Sequence, residues 1–277
     1  MTAVDHVRED RHPPVSVLGL DIRVSLTPGT GTGPPLLLCN GIGASLDLLQ
    51  PFVDELDHRI AVVRFDVPGV GGSPAPPVPY TFPALAWLVN RMMVHHLGHH
   101  TYDVLGISWG GGLAQQIAFQ HRRRCRRLVL VATATGSIMV PARPNTLAKM
   151  ITPRRYRDPD YARTIAAELY GGILRDDPDR ARHLLQDAER LGRTRGYVFQ
   201  LLAGLGWSSI PGLPFVRQPT LVVAGRDDPL IPLVNAQLMT RLLPNSTLHE
   251  YDDGHLGLVT RAPELAAVIS TFLLDPA

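Results

Sequence analysis

Five residues, Gly106-Ile107-Ser108-Trp109-Gly110, constrain this chain more than any other stretch. The apolar run Tyr102-Asp103-Val104-Leu105 precedes them, and Gly111-Gly112-Leu113-Ala114-Gln115-Gln116-Ile117-Ala118 follows. The first run reads as a short buried strand. The second reads as the opening of a helix with Leu113, Ile117 and Ala118 on one face. A G-x-S-x-G between strand and helix is the pattern of a nucleophile elbow, which holds a serine in a strained backbone. Side chains at the two flanking glycines would crowd that turn. The helix starting there points its N–H groups and positive dipole end at the place where an oxyanion would form. The competing reading is a glycine-rich turn without chemistry, and the partners downstream weigh against it.

The rest of the chain alternates in the same way. Residues 36–39 and 60–65 are short apolar runs of the kind buried on both faces of a sheet, and 128–132, 220–224 and 246–251 continue the series. Helical periodicity covers residues 45–56, with Leu48, Leu49, Phe52, Val53 and Leu56 as the buried stripe. Further helices are expected over 83–97, after the elbow, up to about residue 243, and over 262–274. Residues 15–26 read as one or two edge strands around Gly19, and residues 1–14 as disordered. The alternation predicts a mostly parallel, doubly wound α/β sheet. It breaks between about 135 and 218, where only helical stretches occur, clearest at 160–170, 178–191 and 197–205. The expectation is an α/β core over 1–134 and 219–277, with a helical cap, 135–218, inserted between two strands.

Composition removes several classes of function. A net charge of +2 over 277 residues makes no case for nucleic acid. Arg122-Arg123-Arg124 and Arg126-Arg127 read as a solvated helix end, where cations complement the dipole. Two cysteines, Cys39 and Cys125, suggest neither a disulfide framework nor a metal site. Residues 1–12 are polar and lack the apolar core of a signal peptide, and no apolar stretch is long enough to span a bilayer. These features point to a cytoplasmic enzyme that uses no cofactor or metal; they do not speak to oligomeric state.

A serine hydroxyl needs an adjacent base, and the base needs a group to orient it. His255 is the base by placement: it follows a strand end and a glycine, on the sheet edge that carries the elbow. His95, His96, His99 and His100 fall at a surface helix end, and His249 lies inside a strand. For the acid, Asp227 and Asp228 follow the same strand, and only one can face the imidazole. Asp252 and Asp253 are read as shaping their own turn. Two backbone donors would hold the oxyanion. One is Trp109 N–H, directly after the serine; the other is Ile42 N–H, in the turn Asn40-Gly41-Ile42-Gly43. The stretch Asp66-Val67-Pro68-Gly69-Val70-Gly71-Gly72-Ser73 has no G-K-[ST] after it, so it reads as a tight structural turn and not a phosphate loop.

These segments resemble the α/β-hydrolase superfamily, and more narrowly the intracellular medium-chain-length poly(3-hydroxyalkanoate) depolymerases. The likeness rests on Pro35 through Ala44, on Arg64 through Pro74, on Asp103 through Gln116, on Pro153 through Tyr161 and on Asp252-Asp253-Gly254-His255-Leu256. It implies Ser108 as nucleophile, His255 as base and Asp228 as acid. Asp228 is chosen over Asp227 by the superfamily spacing, three after Gly225 and four before Pro232. Asn40 stands where the superfamily often has His, which leaves the backbone donors in place. The resemblance further implies a serine ester hydrolase cleaving 3-hydroxyacyl polyesters through an acyl-enzyme, in the cytoplasm or at the polymer granule. A small-molecule carboxylesterase or a haloperoxidase-like perhydrolase would use the same triad. A non-catalytic granule-binding relative is a third reading, and the intact triad argues against it. An insoluble polyester would need an apolar groove over Ser108. Met139, Met150, Tyr170, Phe199, Leu205 and Trp207 are the cap residues expected to supply it. Of these Met139, Met150 and Trp207, together with Asn40, are the expected substrate contacts.

Overall fold

A computed structural model of the chain describes residues 12–152, 158–177 and 194–276. The strands are β1 (Val15–Val17), β2 (Leu20–Ile22), β3 (Val24–Thr27), β4 (Leu36–Cys39), β5 (Val62–Phe65), β6 (Tyr102–Ile107), β7 (Cys125–Val131), β8 (Thr220–Gly225) and β9 (Ser246–Tyr251). The helices are α1 (Gln50–Glu55), α2 (Phe82–Arg91), α3 (Trp109–Gln120), α4 (Pro144–Ile151) and α5 (Pro159–Tyr170), then α6 (Ile173–Asp176), α7 (Thr194–Gly204), α8 (Val234–Leu242), α9 (Gly257–Thr260) and α10 (Ala262–Leu274).

Seven strands form the main sheet in the order β3-β5-β4-β6-β7-β8-β9, and only β3 runs antiparallel to its neighbour. Alternate residues of the inner strands serve opposite faces. Leu37, Cys39, Val104, Leu128, Leu130 and Val222 pack towards α2, α3 and α8. Leu36, Leu38, Leu105, Val129, Val131 and Val223 pack towards α1 and α10. The sheet is therefore covered on both sides, as the two-sided apolar runs required. The strand that leads to Ser108 lies near its middle, between β4 and β7.

Local chemistry sets several boundaries that periodicity missed. Residues 15–26 hold three strands, because Leu18 and Gly19 both adopt positive φ (54° and 78°) and fold β1 onto β2 before β3 joins the main sheet. The helical stripe at 45–56 starts as a tight 3-10 turn, Leu46–Leu49, and becomes α1 at Gln50–Pro51, where proline has no N–H to give. The expected helix at 83–97 is α2 followed by a wider turn, Met92–His96, in which Leu97 N–H reaches back to Met92 C=O. Helices α4, α6 and α9 are not among the expected ones.

The arginine clusters require a correction. Arg126 and Arg127 do not sit at a solvated helix end; they lie in β7. Arg126 Nε donates to Asp103 Oδ1 at 2.9 Å, and buried Arg127 donates to the carbonyls of Phe272 and Asp275 at the end of α10. Between β7 and β8 the described residues carry no strand, only α4 to α7, a 3-10 turn at Leu213–Phe215 and one isolated bridge, Gly136 to Ser208. Helix α5 matches the expected 160–170, its first turn capped by Asp158, whose carboxylate accepts Tyr161 N–H. Helix α7 matches 197–205 with an earlier start. The expected helix at 178–191, the resembling stretch 153–157 and most of the expected disordered segment at 1–14 lie outside the described residues.

Candidate active site

Ser108 is the residue between β6 and α3, with φ 55° and ψ −123°. A non-glycine residue there costs of order 1–3 kcal/mol and persists only where its surroundings fix it. Ser108 N–H donates to Val131 C=O at 2.9 Å, and its own carbonyl accepts from Gly111 N–H (2.9 Å) and Thr133 Oγ1–H (2.7 Å). The glycines around it work by close approach. A Cβ on Gly106 would overlap the Gly110 carbonyl, and one on Gly110 would overlap the carbonyls of Cys39 and Asn40. Their absence lets α3 start hard against β6 and the end of β4.

His255 follows β9 and Asp228 follows β8; both are buried. His255 Nδ1 lies 2.7 Å from Asp228 Oδ2, and His255 Nε2 lies 3.0 Å from Ser108 Oγ. A carboxylate only accepts, so Nδ1 carries the proton and Nε2 is left to accept from the serine hydroxyl. Asp228 Oδ1 accepts Leu230 N–H and Ile231 N–H, each at 2.9 Å. Asp227 faces away: its Oδ2 accepts Gly172 N–H at 2.8 Å and pairs with Arg175 at 2.7 Å. Asp253 is a turn-shaping residue, taking Ile173 N–H, Gly254 N–H and Thr260 Oγ1–H.

The turn after β4 crosses directly over the serine, since a Cβ on Gly41 would sit 3.6 Å from Ser108 Cβ. Gly41 N–H donates to Asn40 Oδ1 (2.8 Å) and Gly43 N–H to Gln200 Oε1 (2.8 Å). Ile42 N–H lies between these two occupied donors. Trp109 N–H opens α3, where no intrahelical acceptor exists. Asn40 is buried, and both ends of its amide are spent inside the loop, its Nδ2 donating to Ser45 C=O at 2.6 Å. Cys39 just before it is fully buried, and burial pushes its thiol up, which makes a thiolate nucleophile unfavourable. The turn at Asp66 to Ser73 is structural as expected: Asp66 takes Leu46 N–H and Gly72 N–H, and Ser73 Oγ–H returns to Asp66 C=O. Burial pushes the Asp66 carboxyl up, against those N–H groups and the pull of Arg23.

The other expected contacts sit farther out. Met150 packs with Ile165, Leu169 and Leu230, and its carbonyl accepts Tyr197 O–H. Met139 is half-buried in the turn after β7. The Trp207 ring lies 4.7 Å from Phe82, which lies 4.8 Å from Trp109, so Trp207 stands one ring behind the elbow, with Nε1–H on Gln116. Tyr170, one of the expected groove residues, stacks over His255 at 6.3 Å, and its carbonyl accepts the His255 backbone N–H. Two residues near the triad have no counterpart in the sequence reading. Thr133 holds the Ser108 carbonyl. Gln200 reaches from α7 to Gly43, and its carbonyl accepts Trp109 Nε1–H at 2.8 Å. A threonine just past a strand and a glutamine inside a helical stretch carry no motif that points to them. Among the described residues no group of three His, Cys, Asp or Glu side chains is arranged to hold a metal, and no helix is long and apolar enough to cross a membrane.

The profile of the alpha/beta hydrolase fold family matches residues 34–262. The poly(3-hydroxyalkanoate) depolymerase of Ectopseudomonas oleovorans is 50% identical over 254 residues, 91% of this chain and 88% of that protein. The 3-oxoadipate enol-lactonase 2 of Acinetobacter baylyi is 26% identical over 83% of this chain and 85% of its own length. The crystal structure of the enol-lactonase from Burkholderia xenovorans LB400 superposes with a TM-score of 0.80 at 22% identity, covering 95% of this chain and 100% of that one. That last likeness is one of fold.

Proposed function

This chain belongs to the alpha/beta hydrolase fold family and is a carboxylic ester hydrolase, and from that premise we propose that it depolymerises medium-chain-length poly(3-hydroxyalkanoate) inside the cell, at the surface of the polymer granule. The observation that carries the reading is the unbroken hydrogen-bonded series from Asp228 through His255 to Ser108, in a chain half identical to a poly(3-hydroxyalkanoate) depolymerase.

In this reading Ser108 Oγ attacks the ester carbonyl carbon while His255 Nε2 takes its proton. Ile42 N–H and Trp109 N–H stabilise the resulting oxyanion. The intermediate collapses, the alkoxide end of the polymer leaves with the proton from His255, and an acyl group remains on Ser108. Water, deprotonated by His255, then attacks that acyl carbon and releases the 3-hydroxy acid, restoring the serine. Asp228 keeps Nδ1 protonated and stabilises the imidazolium. Residues 135–218 are the cap on this core, with 1–134 and 219–277 on either side, and α7 brings its inner face to Gly43 and Trp109.

The test compares turnover of a dispersed medium-chain polymer with that of soluble p-nitrophenyl esters, with release of 3-hydroxy acids followed by mass spectrometry. Polymer clearing with 3-hydroxyacyl products supports the reading. Rapid hydrolysis of the soluble esters with an untouched polymer replaces it with a small-molecule carboxylesterase.

A further inference from the structure

Gln200 is fully buried where the inner face of α7 meets the turn after β4. Its amide can point only one way. Gly43 N–H is a donor, so the oxygen Oε1 must face it, and the nitrogen Nε2 faces elsewhere. Nε2 is buried and meets no acceptor among the described residues. Buried amide donors are almost always paired, so one left unpaired on a side chain that holds the turn after β4 points to a ligand oxygen as its partner.

Its position says which oxygen. Gln200 is bonded to the residue after Ile42 through its side chain, and to the Trp109 indole through its carbonyl. It therefore touches both elements that would hold the ester carbonyl oxygen. The acyl chain leaves that carbonyl through C2 to C3, so a substituent on C3 lies within a few bonds of the oxyanion site. We propose that Gln200 Nε2–H is a specificity-determining donor that binds the oxygen on C3 of the acyl group, separating 3-oxygenated esters from plain fatty esters. The proposal rests on the polyester reading above. Within a polymer the C3 oxygen is part of the neighbouring ester, and at a chain end it is a free hydroxyl. Both accept a hydrogen bond. A plain methylene at C3 leaves the donor unpaired, which is how sites built around a polar contact reject the analogue lacking it.

Two substitutions separate recognition from support of the loop. Gln200→Glu keeps an oxygen for Gly43 N–H but removes the donor; Gln200→Met removes both. The measurement is kcat/KM for methyl 3-hydroxyoctanoate and methyl octanoate, followed by pH-stat titration, with the ratio of the two as the readout. The ratio cancels any general damage to the triad or the loop. The unmodified enzyme is expected to prefer the 3-hydroxy ester, and both variants to lose at least about tenfold of that preference, equivalent to about 1.4 kcal/mol. If Gln200→Glu does not fold, Gln200→Met decides alone, its melting temperature confirming the fold. A ratio unchanged in a folded variant overturns the proposal and leaves the donor to an ordered water. If the unmodified enzyme cleaves polymer but its variants keep their ratio, only this proposal fails. If it cleaves only the plain ester, the polyester reading fails and this one with it.

Discussion

Gly69 and Gly196 meet backbone to backbone. A Cβ on Gly69 would lie 2.6 Å from Gly196 Cα, and one on Gly196 would overlap the Gly69 carbonyl. Gly69 also has φ +92°, a conformation other residues adopt only under strain. The contact joins the turn after β5 to the first part of α7, one helical turn before Gln200. It is what allows α7 to come close enough to reach Gly43 and Trp109.

Gly196→Ala is accordingly expected to push α7 outward. Overpacking of this kind costs roughly 1–3 kcal/mol, and the bonds from Gln200 to Gly43 and Trp109 would lengthen. Thermal melts and kcat/KM on a soluble ester check this together. Wild-type values for both would mean that the helix can shift without disturbing the site.

Asp228→Asn should lower kcat on the order of 10²–10⁴, because the amide cannot hold Nδ1 protonated as a carboxylate does. Asp227→Asn should leave kcat near wild type and cost at most a small loss of stability through Gly172 and Arg175. Steady-state kinetics on both variants distinguishes the two carboxylates. A reversed order of losses would assign the acid to Asp227.

Ser108→Ala should remove activity by about 10⁴ or more, leaving what binding and the oxyanion donors alone supply. A fluorophosphonate probe should add its mass to the peptide containing Ser108 and to no other. Labelling in the alanine variant would count against an acyl-serine.

Acyl length should matter, with kcat/KM rising from C4 to about C8 esters. Each further buried methylene contributes about 0.8 kcal/mol until the apolar groove is full. A series of p-nitrophenyl esters measures the slope directly. A flat profile would indicate that the cap offers no extended groove.

His121 gives a pH signature in stability. Burial lowers its folded-state pKa from the ordinary 6.5, helped by Arg124 and opposed by a bond to the Ala86 backbone, and His99 is lowered by burial too. The unfolded chain therefore takes up protons first as the solution acidifies. Stability is full above pH 6.5 and declines as pH falls from there towards the folded-state value. His121→Gln should flatten the dependence of melting temperature on pH in that window. An unchanged slope would place its origin in other groups.

What the sequence made legible follows from how local the information is. The elbow and the strand series depend on residue types at fixed short spacings, and Asp228 and His255 each follow a strand end that such a spacing marks, so they could be read directly. The choice between Asp227 and Asp228 needed the superfamily's spacing, because adjacent carboxylates on one loop differ only in direction. Arg126 and Arg127 misled because charge suggests a surface, while here their guanidinium groups close the carbonyls at the end of α10. The three strands at 15–26 hinged on Leu18 taking a left-handed conformation that leucine rarely adopts. Trp207 looked like a groove residue, yet aromatic side chains pack as readily on each other, and Phe82 is what it covers. Gln200 was out of reach: its partner Gly43 is 157 positions away, and only the folded chain brings them together.

The arrangement of the triad along the chain also bears on synthesis. Ser108 is made early, but His255, the base proposed for it, lies 147 positions later, beyond β9, at the outer edge of the sheet. A ribosome-bound chain that already displays the elbow therefore has no means of activating it. On that assignment, a chain terminated anywhere before the last strand is expected to be inert, not an unregulated esterase. In refolding from denaturant, too, contacts so far apart in sequence are expected to be slow to close. Esterase activity should return only with the docking of β9, which makes it a late reporter of the completed fold.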